Sequence, residues 1–306
     1  DRRKLRVLAY LLADGSLASM AAVDFVSKDP AMVAEYERSL AVFADVRPVR
    51  LQQIRDVMRV SIAKDEALGL HYHRPTSLLS WVRELGLKHR AGSRPGGLRS
   101  HEKFVPAFVF TLDEEDIAFF LASLWDCDGY MGERLCHYKT ISQQLAEDVQ
   151  TLLLRLGIRS TIYEATYQNS GAHNADDAEG VERCGYQVTV YDTARLAALL
   201  QPSTVTAKAH VVCQGRSTTS IARMPFIEEV DAVVALPYRT LMREYGIDRQ
   251  HFYPAGRRRP RIPTAVVKQL ADTVDLPVTA RKLGVAWEEI VAIEEVGEEH
   301  VYDLTV

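Results

Sequence analysis

The order of apolar and polar positions along the chain predicts the same succession of elements twice. Apolar residues three and four positions apart predict helices over 3–13, 29–43, 76–86, 111–128, 142–156 and 192–200. Alternating or β-branched runs predict strands over 16–26, 47–62, 129–141, 158–167 and 186–191. Each half therefore has the order helix, strands, helix, strands, helix, which indicates an internal duplication at domain length.

Two of the predicted helices end in Asp-Gly and share a pattern of small residues. The runs are Val7–Gly15 (VLAYLLADG) and Leu121–Gly129 (LASLWDCDG). Gly15 and Gly129 are expected just past the last helical turn, where a positive φ is needed. Small residues recur about four positions apart in both runs, so the two helix backbones can approach closely, and both C-terminal ends then meet at one pole.

The meeting of these helix ends would bring Asp14 and Asp128 close together. Two ionised carboxylates repel each other, and the pKa of one rises unless cations lie between them. Hard oxygen ligands suit Mg²⁺, and paired Mg²⁺ ions can stabilise the attacking and leaving oxygens of phosphodiester hydrolysis. The alternative is a pair of amphipathic core helices with glycine caps, and the presence of two copies makes that interpretation the weaker one.

The two runs resemble the paired signature of the LAGLIDADG homing endonucleases, and two copies in one chain imply the monomeric, pseudo-twofold form. The resemblance implies an α+β fold of two αββαββα-like halves with DNA-facing antiparallel sheets. A small helical C-terminal module and an intein-derived strand tail complete the prediction. The predicted domains are the first half (1–110), the second half (111–224), a helical module with a helix-turn-helix pattern (225–286) and a remnant of an intein splicing domain (287–306).

The resemblance also implies the residues that carry the chemistry. Besides the two aspartates, the family places a basic residue from each half near the metals. Lys103 lies in a stretch (HEKFVP) that resembles the one ahead of the second motif, and Lys208 lies in the corresponding stretch after the last helix of the second half. The metal ligands would be Asp14 and Asp128 with the carbonyls of Ala13 and Cys127. Two or three Mg²⁺ ions are implied, with Mn²⁺ able to substitute and Ca²⁺ binding without supporting cleavage.

The formal net charge of −4 is unusual for a DNA-binding protein, but the charges are segregated along the chain. Basic residues concentrate between residues 47 and 103 and again between 249 and 268, whereas the last twenty residues hold seven acids and no Lys or Arg. The predicted DNA-binding residues are Arg47, Arg50, Arg55, Arg59, Lys88, Arg94, His137, Lys139, Arg159, Thr161, Tyr163, Gln187, Thr189, Arg257, Arg258, Arg259 and Arg261. The stretches 88–101 and 168–185 are expected to be a mobile basic loop and a disordered loop.

Two alternatives stay open for the C-terminal third. The arginines between 257 and 261 would grip phosphates or a minor groove in an accessory DNA-binding module, or they would form a solvated basic turn in a helical linker. The run 287–306 resembles the intein block near the C-terminal splice junction, with the character of bacterial DnaB-type inteins. A junction nucleophile at the first residue and a terminal His-Asn are both missing, so this chain is not expected to splice.

Composition narrows the compartment and the partners. The four cysteines lack paired spacing, which argues against a zinc site or disulfides and favours a reducing cytoplasm. No apolar run is long enough to span a membrane, no signal peptide is evident, and a monomer is expected.

The sequence therefore predicts a sequence-specific double-strand DNA endonuclease of intein homing. It would hydrolyse phosphodiester bonds with Mg²⁺ at a long asymmetric target in an intein-free host gene, and the family resemblance implies that the cut leaves short 3′ overhangs. The alternative is a catalytically inactive DNA- or RNA-binding LAGLIDADG protein, such as a degenerate intein or a maturase-like protein. The presence of both Asp14 and Asp128 favours the enzyme.

Overall fold

The computed structural model describes residues 1–18, 23–52, 57–65, 74–89, 97–168 and 182–213, with the short stretches 220–222, 238–244, 246, 261–263 and 266. The chain divides into two compact units, Asp1–Arg216 and Ser217–Val306. The first unit ends somewhat before the predicted boundary at 224. Within the described residues, no helix has the length and apolar character needed to cross a membrane.

The first unit repeats one succession of elements. Its first half comprises α1 (Arg2–Asp14), β1 (Gly15–Ser16), β2 (Asp24–Ser27), α2 (Pro30–Leu40), β3 (Val46–Gln52), β4 (Met58–Lys64) and α3 (Ser77–Glu84). Its second half comprises α4 (Glu114–Asp128), β5 (Gly129–Tyr130), β6 (Cys136–Thr140), α5 (Gln143–Arg155), β7 (Ser160–Gln168), β8 (Glu182–Val190) and α6 (Thr193–Leu200). Short 3₁₀ turns join or follow these elements at Ser100–Glu102, Ala107–Thr111, Gln201–Ser203 and Ala207–His210. The predicted duplication is confirmed.

Each half forms a four-stranded antiparallel sheet with the same topology. The strand orders are β1-β2-β4-β3 and β5-β6-β8-β7, which are the same order when the strands of each half are counted from its first strand. One face of each sheet packs on helices: Phe25 and Val60 are fully buried in the first, as are Tyr138 and Val188 in the second. The other face of each sheet is partly open to solvent, with exposed side chains such as Arg47 in the first sheet and Tyr163 in the second, as antiparallel sheets allow.

Helices α1 and α4 pack against each other at the centre of the unit. Ala9, Ala122 and Ser123 are completely buried there, so the small side chains let the backbones approach as predicted. Near the N-terminal ends, Arg2 Nε donates to Asp116 Oδ1 at 2.7 Å across the two helices. Because the helices lie side by side, both Asp-Gly ends open into the same region of the molecule.

Most predicted helix starts are confirmed, with one exception. Ser142 and Asp192 accept hydrogen bonds from the first-turn amides of α5 and α6, as N-cap side chains do. The prediction that the second motif helix begins at Thr111 is wrong. Asp113 caps α4 by accepting from Asp116 N, while the Thr111 hydroxyl donates to the carbonyl of Phe108 inside the preceding 3₁₀ turn.

The expected positive φ at the motif glycines is wrong. Gly15 and Gly129 both have φ −83°, since the chain passes directly from each helix into an extended strand. Glycine is needed there for space. A Cβ on Gly15 would lie 2.4 Å from the carbonyl oxygen of Leu11, and one on Gly129 would lie 2.3 Å from the Trp125 ring. The chain adopts positive φ instead after α5, at Gly157 (φ +67°).

The second unit contains a pair of antiparallel strands and a short helix within its described residues. Strand β9 (Ser220–Ala222) pairs with β10 (Arg261–Pro263), and α7 spans Tyr238–Arg243. The helical prediction for 225–286 therefore omitted the strand that contains Arg261. Arg257, Arg258, Arg259 and the tail 287–306 lie outside the described residues, so the module and splicing-remnant assignments stay predictions.

Candidate active site

The C-terminal ends of α1 and α4 open into a cavity of about 500 Å³. The ends of the two helices and the segment that contains Ser100 and Lys103 form one side of the cavity, and strands β6 and β8 form the other. The lining residues are Leu12, Ala13, Asp14, Ser100, Lys103, Asp128, Lys139, Thr140, Ile141, Gly185, Tyr186 and Gln187. The cavity thus joins both predicted aspartates to polar side chains of the second sheet.

The two aspartates influence each other's protonation. Desolvation by the surrounding protein, and then the negative charge of Asp14, raise the pKa of Asp128 to about 7, although its side chain faces the open cavity. Burial also raises the pKa of the half-buried Asp14, while the positive charges of Lys103 and Lys208 act in the opposite direction on both acids. A cation between these carboxylates would favour their ionised forms.

Lys103 is held at the end of α1. Its side chain is 3% exposed, and Nζ donates to the carbonyl oxygens of Leu11 (3.1 Å), Ala13 (3.1 Å) and Gly15 (2.9 Å). All three ammonium protons are therefore used, and the charge lies at the negative end of the helix dipole. Burial lowers the pKa of Lys103 to about 8, against the opposing effect of Asp128 and Asp14.

Lys208 has the equivalent arrangement at the end of α4. Its Nζ donates to the carbonyl oxygens of Trp125 (2.7 Å), Asp126 (2.8 Å) and Cys127 (3.2 Å). Burial is the main effect lowering the pKa of this lysine as well. The two lysines, predicted from separate stretches of sequence, thus occupy equivalent positions in the two halves.

The donor set around the cavity suits a hard divalent cation that is shared with a substrate. The carbonyls of Ala13 and Cys127, predicted as metal ligands, already accept bonds from Lys103 and Lys208, but a carbonyl oxygen has a second lone pair. Among the described residues, no cluster of three or more His, Cys, Asp or Glu side chains could hold a metal. The remaining ligands of Mg²⁺ would therefore be water and phosphate oxygens, as is usual for this ion.

The outer face of the second sheet carries the residues predicted to contact DNA. Cross-strand register puts His137, Thr189 and Thr161 in one row, and Lys139, Gln187 and Tyr163 in the next. Lys139, Thr161 and Tyr163 are exposed, and His137 and Gln187 are partly exposed. Thr189 is buried and accepts a hydrogen bond from Gln187 Nε2 at 3.0 Å, so its predicted direct contact with DNA is not supported. Exposed Arg159 precedes β7.

Sequence reasoning missed Tyr130 on this outer face. It pairs with His137 across β5 and β6, its ring stacks on the imidazole with centroids 4.9 Å apart, and it is 51% exposed. The available signal was its position directly after the motif glycine, which starts the edge strand beside the cavity. Tyr130 therefore extends the polar and aromatic face up to the helix ends.

The first sheet supports only part of the predicted arginine set. Arg47 and Arg59 lie on the outer face, but Arg50 lies on the helix-packed face and forms an ion pair with Glu37 of α2 (Nη2–Oε2 2.5 Å). The prediction that Arg50 faces outward is therefore wrong. Lys88 is also placed differently from the expected mobile loop, since it is buried and bridges to Gly97.

Three predicted features of these surfaces lie outside the described residues. They are Arg55, Arg94 and most of the expected loop 168–185. Strand β8 is longer than predicted because it begins at Glu182, whereas β7 is shifted toward the loop and ends at Gln168.

Comparison with known proteins finds a family match in the second half of the first unit. Residues 115–201 match the family model described as a LAGLIDADG-like domain. The matched residues run from α4 to α6 and include Asp128, and the first half has the same order of elements and the same sheet topology. The resemblance inferred from the two motifs is confirmed.

The full chain is also similar to replicative DNA helicases. Over 99% of its length it is 26% identical to the replicative DNA helicase DnaB of Synechocystis sp. and 29% identical to that of Rhodothermus marinus. It covers 35% and 32% of those proteins, so it spans about a third of the curated relatives it matches. The DnaB-type resemblance is thereby confirmed.

The chain is also similar to a solved structure of the homing endonuclease I-DmoI in complex with DNA and Ca. The match covers 68% of this chain and 95% of that one, with a sequence identity of 12% and a TM-score of 0.42.

Proposed function

We propose that this LAGLIDADG protein is the homing endonuclease of a DnaB-type intein, which makes a sequence-specific double-strand cut in DNA and leaves short 3′ overhangs. One observation carries the proposal. Asp14 and Asp128 line one cavity at the ends of α1 and α4, and at each of these ends a lysine donates hydrogen bonds to the backbone carbonyls.

Asp14 and Asp128 would hold the divalent ion, Mg²⁺ or Mn²⁺, with Ca²⁺ supporting binding only. When bound, the metal would supply charge stabilisation to the attacking and leaving oxygens of the phosphodiester. Lys103 and Lys208 place fixed positive charge beside the phosphate, where negative charge develops in the transition state. Because their ammonium groups are already oriented by three carbonyls each, little reorganisation is needed when DNA binds.

The outer sheet faces are proposed to contact DNA on both sides of the cut. Lys139 and Arg47 would neutralise phosphates, which makes binding depend steeply on salt. The Gln187 amide can donate to and accept from a base edge in the major groove, as Gln does with adenine. The target is asymmetric in this proposal, since the two outer faces differ in residue type, and one monomer supplies both halves.

The direct test is cleavage of a plasmid that carries the uninterrupted host-gene junction of a DnaB gene. Linear product with Mg²⁺, and none with EDTA or on a plasmid lacking the junction, is expected. Tight, junction-specific binding without cutting would favour the inactive DNA- or RNA-binding alternative. Absence of both binding and cutting would contradict the proposal.

A further inference from the structure

The segment that carries Lys103 forms hydrogen bonds with the opposite half of the first unit. This segment follows α3 of the first half, yet its polar partners lie on α5 of the second half. The hydroxyl of Ser142 donates to the carbonyl oxygen of Lys103 at 2.5 Å, and the backbone amide of Val105 donates to Asp148 Oδ2 at 2.7 Å. Both contacts are buried, and they fix the backbone directly after the Cα of Lys103, from its own carbonyl group to the amide of Val105.

Asp148 is placed to act as an anchor. The residue is 8% exposed, and its second carboxylate oxygen accepts from Gln144 Nε2 at 3.0 Å. A buried carboxylate is costly unless its oxygens are hydrogen-bonded, and here one of its partners is the backbone two residues beyond Lys103. The three bonds from Lys103 Nζ to the end of α1 complete the arrangement, so the first-half lysine lies between a helix of its own half and a helix of the other.

A related bridge runs in the reverse direction, from the first half to the segment of Lys208. Arg6 of α1 is 4% exposed, its Nη1 pairs with Glu35 Oε1 of α2 at 3.0 Å, and its Nη2 donates to the carbonyl of Ser203 at 3.0 Å. Ser203 ends the 3₁₀ turn that leads to Lys208.

The two anchoring acids occupy equivalent places. Glu35 lies six residues after the N-cap Asp29 of α2, and Asp148 lies six residues after the N-cap Ser142 of α5. Lys208 differs in having one additional support from its own half. The carboxylate of Asp126 accepts from the backbone amides of Val205 and Thr206 and from the Thr206 hydroxyl. Loss of Asp148 should therefore disturb Lys103 more than loss of Glu35 disturbs Lys208.

We propose that Asp148 and the Arg6–Glu35 pair are positioning residues through which each half holds the lysine of the other half. The inference rests on the proposed nuclease function only for its kinetic consequence. A half that is not docked on its partner would lack a correctly placed lysine, so cutting of either strand depends on assembly of both halves.

The kinetic test is a double-mutant comparison under single-turnover conditions with saturating protein. Asp148→Ala is expected to slow cleavage about tenfold in the parent chain, as the loss of a charged hydrogen bond would. In a Lys103→Met background it should add almost nothing, and in a Lys208→Met background its full effect should remain, because only Lys103 transmits it. Glu147→Ala removes an exposed carboxylate one residue away on α5 and is the matched control.

A labelling test needs no cleavage and separates this inference from the proposed function. Acetic anhydride acylates the neutral amine form of lysine side chains, so labelling rises with exposure and with the deprotonated fraction, and the products are quantified by mass spectrometry. Asp148→Ala should raise the labelling of Lys103 severalfold and leave Lys208 unchanged, and Glu35→Gln should raise Lys208 alone to a smaller extent. Asp148→Asn, which keeps a carbonyl acceptor for Val105 N, should restore much of the protection of Lys103.

The results that would overturn the inference are distinct from those that would overturn the nuclease. Equal labelling of both lysines in Asp148→Ala and the parent chain contradicts the positioning role even if the parent cuts DNA normally. Multiplicative rate losses in Asp148→Ala/Lys103→Met contradict it as well. If the parent chain does not cut DNA but the variants show the selective labelling, the positioning role is supported and the nuclease proposal is contradicted.

Discussion

The two halves of the first unit share the geometry of their lysines but differ on the outer faces of their sheets. In each half a lysine donates to three carbonyl oxygens at the end of a motif helix. The outer face of β3 and β4 presents Arg47 and Arg59 among apolar residues such as the exposed Leu51. The outer face of the second sheet instead presents amide, imidazole, hydroxyl and ammonium groups.

This difference separates chemistry from recognition. The two phosphodiester bonds of a double-strand cut are chemically the same, so the proposed function requires equivalent groups at both helix ends. The two halves of an asymmetric DNA site are different sequences, so the sheets have no reason to remain alike. The second sheet is suited to reading base edges, whereas the first is suited to phosphate contact and to apolar contact with thymine methyl groups.

The largest expected effect tests the shared chemistry. Asp128→Asn keeps the size of the side chain but removes the charge that would hold the metal, so double-strand cleavage should fall on the order of a thousandfold or more. Junction-specific binding in Ca²⁺ should remain close to the parent value, measured by fluorescence anisotropy. Retained cutting by this variant would remove Asp128 from the proposed site.

The second test concerns the equivalence of the lysines. Lys103→Met and Lys208→Met should each slow cleavage on the order of a hundredfold, because each removes one fixed charge beside a phosphate. Strand-resolved sequencing gels would show whether the two variants accumulate nicks in opposite strands. Nicks in the same strand for both variants would argue against equivalent roles.

The third test concerns recognition by the second sheet. Gln187→Ala should cost about 1–3 kcal/mol of discrimination at one base pair while changing affinity for unrelated DNA little. Binding to a panel of single-base variants of the junction measures this. A uniform loss across the whole panel would indicate that Gln187 contacts the backbone only.

A smaller effect is expected in the first half, where a neighbouring residue gives the control. Arg47→Ala should weaken binding to all sequences alike and reduce the slope of log K against log salt by about 1. Arg50→Ala should leave that slope unchanged, since Arg50 lies on the other face in an ion pair with Glu37. Equal slopes for the two variants would contradict the face assignment.

The smallest effect is a pH dependence of stability without metal. The pKa of Asp128 in the folded protein is raised to about 7, so below that pH the folded state binds a proton that the unfolded state releases near pH 4. Stability should therefore fall as pH rises from about 4 through about 7, and Mg²⁺ should restore it above pH 7. Thermal unfolding of the parent and Asp128→Asn checks this, and an identical pH dependence in both would contradict the raised pKa.

Local sequence pattern was enough for most of the elements. The duplicated order of helices and strands is confirmed, as are the helix starts near Ser142 and Asp192, because helix and strand periodicities and N-cap preferences depend on neighbouring residues. The two motif runs pointed to Asp14 and Asp128, and two separate stretches that resemble the family pointed to Lys103 and Lys208; the structure brings all four residues to the two helix ends. Their catalytic roles stay predictions.

The misassigned residues share a dependence on spatial context. Arg47 and Arg50 are three residues apart in β3, so they lie on opposite faces, and the pairing of Arg50 with buried Val60 shows that Arg50 is the one on the helix-packed face. The motif glycines were expected to need positive φ, whereas the constraint is steric, from Leu11 and Trp125. Tyr130 and Asp148 gave little signal because their partners become neighbours only after the sheet and the two halves are assembled.

By itself, the sequence determined the repeated elements, the two small-residue helices and the identity of the acids and lysines. Those features follow from short-range periodicity and from local motifs. Only the tertiary structure decided which side chains share a sheet face, how the two lysines are oriented, and that α5 holds the segment of Lys103. Such features depend on strand register and on contacts between residues far apart in the chain, which the order of residues along the chain does not reveal.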